Sequence, residues 1–387
     1  MEINTSKMLE ERFTQKEIEG QPQLWQKVYA LILNKENEIK GFVNRALGKS
    51  NIQVILTGAG SSAFIGEGLQ GSIQQELGVP TSAVATTDIV THPEVYFDGK
   101  RPILIISFAR SGNSPESLAT VQLADKLCGD KVFHIFITCN SEGQLMEYAN
   151  KNKERCFGIL LPEEAHDKSL AMTGSFTSML LTALLITRKG DLKTLQQDVD
   201  HIVAQGNYIL SNAKTIQNAI NPNYDRVVFL GSGPLLGIAR ECHLKLQELT
   251  DGQLICKHDS FLGFRHGPRA VVNNNTLMVY LFCADPYIYQ YEWDLAKSID
   301  QDEREIRSLS LGLKKSDQLK NGVNLTVENL QDTGDVFRSI PATLIGQLLG
   351  MYKSLQLNLN PDNPSVSGAI SRVVQGVHIY DYKPIEK

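Results

Sequence analysis

Apolar positions along the chain fall into short continuous runs, separated by segments with helical spacing. Residues 1–50 read as helical: Leu24, Val28, Ile32 and Leu33 recur near the helical period, and Thr14 followed by Glu17 has capping-box spacing. The first strong strand is Ile52–Thr57, which runs into Gly58-Ala-Gly60-Ser61-Ser62. The second half repeats that pattern, Arg226–Leu230 running into Gly231-Ser-Gly233-Pro234. Pro102–Phe108 and Lys131–Thr138 predict further strands, Ser114–Cys128 a helix between them, and Thr276–Cys283 a buried strand. Strands alternating with helices predict an α/β protein with parallel sheets covered on both faces. The expected organisation is a helical segment over 1–45 and two related domains over 46–205 and 206–387. Asp191–Ile220 is expected to be a long connecting helix and Asp294–Arg307 a solvated helix face. Pro361, Pro364 and Gly368 predict a loop-rich start to the tail at Asn360–Gln375.

Composition agrees with this division, since 387 residues are too many for one core and suit two domains of about 150–200 residues each. Lys and Arg number 38 against 43 Asp and Glu, a net charge of −5. A nucleic-acid or anionic-membrane partner would call for a basic surface, so neither is expected. The six cysteines form no CxxC pair, which favours free thiols in a reducing compartment. Met179–Ile186 is the most apolar stretch and falls far short of the roughly 20 residues that span a bilayer. The opening MEINTSKMLEERF has no apolar leader. A cytoplasmic location is expected.

Three constellations carry candidate chemistry. Gly58-Ala-Gly-Ser-Ser62 and Arg110-Ser-Gly-Asn-Ser114 each follow a strand and precede a helix. Helix starts offer free amides and a positive dipole end, and Ser61, Ser62, Ser111, Asn113 and Ser114 add side-chain donors. With Arg110 beside them, these groups can hold a phosphate dianion on a mildly acidic protein. The first loop also fits G-x-G-x-x-A, a dinucleotide fingerprint, but no clear acidic residue ends a second strand. Both loops also suit ordinary strand-to-helix turns. In the second half, Glu241, Lys245 and Glu248 form one helical stripe, which serves equally as an exposed ion ladder or as acid–base machinery beside a crevice. Finally, His266 stands before Gly267-Pro268, where a helix start favours the neutral imidazole; a structural histidine is the plain alternative. His258 and Cys256 complete no zinc pattern, and no metal site is expected.

Together these motifs resemble the double-SIS (sugar isomerase) family of phosphosugar enzymes. GAGSSAFIG, RSGNSPES, FRHGPR and SRVVQGV are most similar to its AgaS-type galactosamine-6-phosphate deaminase/isomerase subgroup. The resemblance covers roughly residues 40–380. It implies two flavodoxin-like αβα domains, a homodimer with shared active sites, and an amino-sugar phosphate as substrate with no cofactor. It further implies that the serine loops bind phosphate and that Glu248 moves the proton while Lys245 assists at oxygen. Glu241 would be a further active-site carboxylate, and His266 would open the ring from the partner subunit. Ala109 departs from the serine of the related glucosamine-6-phosphate synthase. No nucleophilic cysteine stands near the start to draw ammonia from glutamine, so ammonia release is the implied direction.

Overall fold

The computed structural model describes residues 12–326, 333–374 and 376–383. Its first sheet comprises β1 (Gln53–Thr57), β2 (Thr81–Ala83), β3 (Ile103–Ala109), β4 (Val132–Thr138) and β5 (Cys156–Leu160), ordered β2-β1-β3-β4-β5. The second comprises β6 (Arg226–Leu230), β7 (Ile255–Asp259), β8 (Thr276–Leu281), β9 (Arg307–Leu311) and β10 (Gly322–Leu325), ordered β10-β9-β8-β6-β7. Counted from its own first strand, the second sheet repeats the order of the first, and every pairing is parallel. This is the flavodoxin-like order expected. β3, β4 and β8 are buried along their whole length, as sheets covered on both faces require. The glycine loops are also alike: Gly60 has φ 56° and ψ −129°, Gly233 φ 54° and ψ −125°, each just ahead of a helix.

The N-terminal segment forms three helices, Phe13–Glu19, Gln21–Asn34 and Glu36–Leu47. The Thr14–Glu17 capping box does not form. Arg12 occupies the cap position, the Thr14 hydroxyl donates to Asp362, and Glu17 instead accepts from Lys168 and Ser169. Trp25 of the second helix is fully buried and donates to Thr177 of the Gly174–Ile186 helix. All thirteen residues of that helix are buried, so the apolar Met179–Ile186 run is a domain-core element. Two other expectations are corrected. Asp191–Ile220 is not one helix: a 3₁₀ turn at Leu192–Leu195, started by the Asp191 side chain, precedes helices Gln196–Ser211 and Ala213–Ile220. The charged Asp294–Arg307 stretch spans a helix end, a turn and a strand start, because Asp285 caps a helix over Pro286–Asp300 and Arg307 opens β9.

Two glycine contacts position the Pro234–Leu249 helix. It lies between the Ser61–Leu77 helix of the first half and the buried Asp335–Gln356 helix. A Cβ on Gly237 would sit 2.5 Å from the Gly68 nitrogen, and one on Gly346 would sit 2.4 Å from the Cys242 Cα. Backbone cannot yield to such a group. Gly237→Val is therefore expected to lower stability by about 1–3 kcal/mol through overpacking. It should also reduce turnover, by displacing the residues farther along the helix. Denaturant titration beside steady-state kinetics tests this, and unchanged stability would refute the close approach.

Candidate active site

β1 and β3 are neighbours, and their C-terminal ends open on the crevice where the strand order reverses. Both serine loops leave from these ends. A Cβ on Gly58 would lie 2.5 Å from the Ser62 Cβ, so only glycine lets the first loop fold this tightly. In the second loop Gly112 has φ 65°, a left-handed conformation suited to glycine. Ser114 caps the Pro115–Cys128 helix by accepting from the Ser117 amide, and its hydroxyl donates to Ser117 Oγ at 2.6 Å.

A cavity of about 530 Å³ lies over these loops. Ser61, Ser62, Arg110, Ser111 and Ser114 line it, and so do Lys245 and Glu248 from the second half of the chain. The Asn113 side chain is instead taken by the Gln144 amide at 2.9 Å, outside the lining. The cavity meets the last turns of the Pro234–Leu249 helix, and the start of that helix packs on the Ser61–Leu77 helix.

The Glu241–Lys245–Glu248 stripe is not an exposed ladder. Glu241 and Lys245 are 0 % and 1 % exposed. Lys245 Nζ lies 2.5 Å from Glu248 Oε2 and 3.5 Å from Glu241 Oε1. Burial pushes the Glu241 carboxyl up to about 7; Lys245 pulls against this, Glu248 adds to it, and the Ser61 hydroxyl eases it slightly. Burial works to lower the Lys245 ammonium, yet the two carboxylates hold it above its ordinary value. The cluster thus presents a fixed cation and a partly exposed carboxylate, Glu248, to the cavity, with Glu241 beneath them.

His266 follows the Phe261–Phe264 helix, is exposed, and does not line the cavity of its own chain. Gly267, at φ 113°, turns the chain, and Pro268 opens a 3₁₀ turn over Pro268–Val271. After β2 come Val84-Ala85-Thr86, with no carboxylate placed for a ribose, so the G-x-G-x-x-A match lacks its dinucleotide partner. Among the described residues, no group of three or more His, Cys, Asp or Glu could hold a metal ion.

The cavity has further walls. Glu116, Ser117, Leu170 and Met172 contribute, and tail residues 368–374 form its roof. Arg110, 8 % exposed, ties these parts together: Nη1 donates to the Leu170 carbonyl at 3.3 Å and Nη2 to the Arg372 carbonyl at 2.6 Å. Glu116 and Ser117 lie within RSGNSPES and residues 371–374 within SRVVQGV; what left no local signal is the contact between Arg110 and the tail, which joins residues more than 250 positions apart.

Parallel sheets whose glycine turns lead into helices at the switch point are the architecture of the sugar isomerase (SIS) class, and the SIS domain model matches residues 46–188. The chain is 40 % identical to the D-galactosamine-6-phosphate deaminase AgaS of Shewanella sp. (strain ANA-3), over 96 % of this chain and 92 % of that one. It is 36 % identical to the protein of that name from Escherichia coli O157:H7, over 96 % of both. The crystal structure of tagatose-6-phosphate ketose/aldose isomerase from Escherichia coli superposes with a TM-score of 0.87 at 34 % identity, covering 96 % of this chain and 97 % of that one. The chain belongs to the AgaS family of double-SIS-domain proteins.

Proposed function

We propose that the chain is an isomerising deaminase, converting galactosamine 6-phosphate to tagatose 6-phosphate and ammonia in amino-sugar catabolism. The observation that carries this is the single cavity shared by the serine loops and the Lys245–Glu248 pair. The names of its relatives supply the substrate. The phosphate rests on Ser61, Ser62, Ser111 and Ser114 and on the amides of two helix starts, while Arg110 braces the roof above it. One fixed end brings the far end of the sugar to Glu248.

Every step is a proton transfer or a hydration, and side chains suffice without a cofactor. His266 of the partner subunit, in a homodimer, moves a proton from the anomeric hydroxyl to the ring oxygen and opens the sugar to its aldehyde. Glu248 as carboxylate removes the C2 proton, and Lys245 stabilises the negative charge that develops on the C1 oxygen. That oxygen takes up a proton, and Glu248 returns its own proton to C1. This leaves CH₂OH at C1 and an imine at C2. Water adds to the imine, ammonia leaves, and the C2 ketone remains. Glu241, neutral when protonated, spares Lys245 a second permanent counter-charge.

A cytoplasmic location fits the six free thiols. Among the described residues no helix is long and apolar enough to cross a membrane. The test is ammonia release from galactosamine 6-phosphate and glucosamine 6-phosphate, side by side. Release from the galacto substrate at the higher kcat/KM is expected. The name of the Escherichia coli structural relative favours a second reading, aldose–ketose isomerisation alone. Ketose formation from an aldose phosphate with no ammonia from either amino sugar would establish it. Binding of the sugar phosphate without turnover or C2 deuterium exchange would instead indicate a sensor.

A further inference from the structure

The Phe13–Glu19 helix has no side-chain cap of its own. Its cap comes from the far end of the chain. Asp362 Oδ1 accepts from the Thr14 amide at 2.8 Å and the Thr14 hydroxyl at 2.7 Å, and Oδ2 accepts from the Phe13 amide at 3.1 Å. Thr14 is fully buried. The Asp362 carbonyl accepts from the Leu170 amide at 3.0 Å. At the other end of the same helix Glu17 accepts from the Lys168 amide and, at 3.3 Å, from the Ser169 amide. One short helix therefore holds both the tail and the 168–170 loop.

These are the two pieces that close the cavity from above. Leu170 lines it from the loop, and residues 368–374 line it from the tail. Between Asp362 and the end of the roof at Val374 the tail is held at two more points. The Val366 amide donates to Asp251 Oδ2 at 3.2 Å, just past the end of the Pro234–Leu249 helix. Arg372 Nε donates to the Asp167 carbonyl at 2.9 Å, while its own carbonyl takes Arg110. Pro361, Pro364 and Ser365 are buried, but residues 366–371 are all exposed, Val366 at 79 %, and have little packing to order them. Hydrogen bonds, not burial, fix the roof, and the Asp362 carboxylate makes three of them with charge assistance.

We infer that Asp362 is a positioning residue: its clasp on Thr14 and Phe13 holds the tail in the closed arrangement that captures the substrate. The inference deepens the proposed function and rests on it for the identity of what is captured. The clasp touches neither the serine loops nor Glu248, so it acts on binding and not on proton transfer. If loss of the clasp leaves the roof closed about one-tenth of the time, apparent affinity falls about tenfold.

Asp362→Ala and the milder Thr14→Val are the variants, each compared with wild type as the full chain. Hydrogen exchange by mass spectrometry should show faster exchange over residues 365–374 and 166–173 in Asp362→Ala, with the Pro234–Leu249 helix and β3 unchanged. With galactosamine 6-phosphate, KM should rise about tenfold for Asp362→Ala and severalfold for Thr14→Val, with kcat retained within about twofold. Unchanged exchange over 365–374 overturns the clasp, and so does a fall in kcat at constant KM. Should Asp362→Ala fail to fold, Thr14→Val decides by the same two criteria. Should the wild type release no ammonia, the functional reading falls and the exchange pattern alone judges the clasp.

Discussion

Glu248→Gln is expected to fold as the wild type does and to lose about 10²–10⁴-fold in kcat, the range for removing a general base. The side chain is 23 % exposed at the cavity wall, and Glu241 stays within 3.5 Å of the buried Lys245 as its remaining counter-charge. Glutamine keeps the shape and retains an oxygen for the Lys245 bond, yet cannot accept the C2 proton at neutral pH. The serine loops proposed to hold the phosphate leave the other sheet and are untouched, so KM should change far less than kcat. Deuterium from solvent should no longer enter C1 of the product during a single turnover. A folded variant with near-wild-type turnover would remove Glu248 from the mechanism, and the lysine–carboxylate pair would then need another role.

Much of this site was legible because its parts are local. A strand ending in Gly58-Ala-Gly60 dictates a tight turn and a helix start whatever surrounds it, and the Ser114 cap follows from its spacing to Pro115 and Ser117. The Glu241–Lys245–Glu248 stripe was equally visible, but its meaning was not. Whether such a stripe is solvated depends on which helices cover it, and here Gly237 and Gly346 admit two neighbours close enough to bury it. The misread Thr14–Glu17 box has the same origin. Both residues spend their hydrogen bonds on partners more than 150 positions away. Edge strands such as β2, three residues long, and β7, with its polar Lys257-His258-Asp259, carry too weak an apolar pattern to declare themselves. The Asp335–Gln356 helix, absent from the sequence reading, is buried on nearly every side because other helices surround it, which its own sequence does not announce. The roof over the cavity follows from irregular backbone held by distant side chains, which no periodicity encodes.

Lys245→Met should have the larger effect on stability, and its sign depends on pH. Methionine fills the space of the lysine stem but leaves Glu241 buried without its cation. Removing one member of a buried pair typically costs about 3–5 kcal/mol, because the remaining charge is uncompensated. A carboxyl can avoid that cost by keeping its proton. Burial already raises Glu241 from an ordinary 4.5 to about 7, and Lys245 is the main group holding it down. Without the lysine the folded value rises further. A carboxyl whose folded value lies above its unfolded value binds its proton more tightly when folded. Its favourable contribution is therefore complete in acid, below 4.5, and disappears as pH climbs through the folded value. Urea titrations should thus show Lys245→Met close to wild type at about pH 5 and several kcal/mol less stable at about pH 9. Adding Glu241→Gln should flatten that difference, since a neutral amide has no proton to lose. A destabilisation that is the same at both pH values, or that Glu241→Gln fails to relieve, would show that the lysine supports the helix by packing alone. Activity separates the two roles again. The double variant should regain stability yet stay about 10²–10³-fold slow, because the charge that stabilises the developing C1 oxygen is still missing.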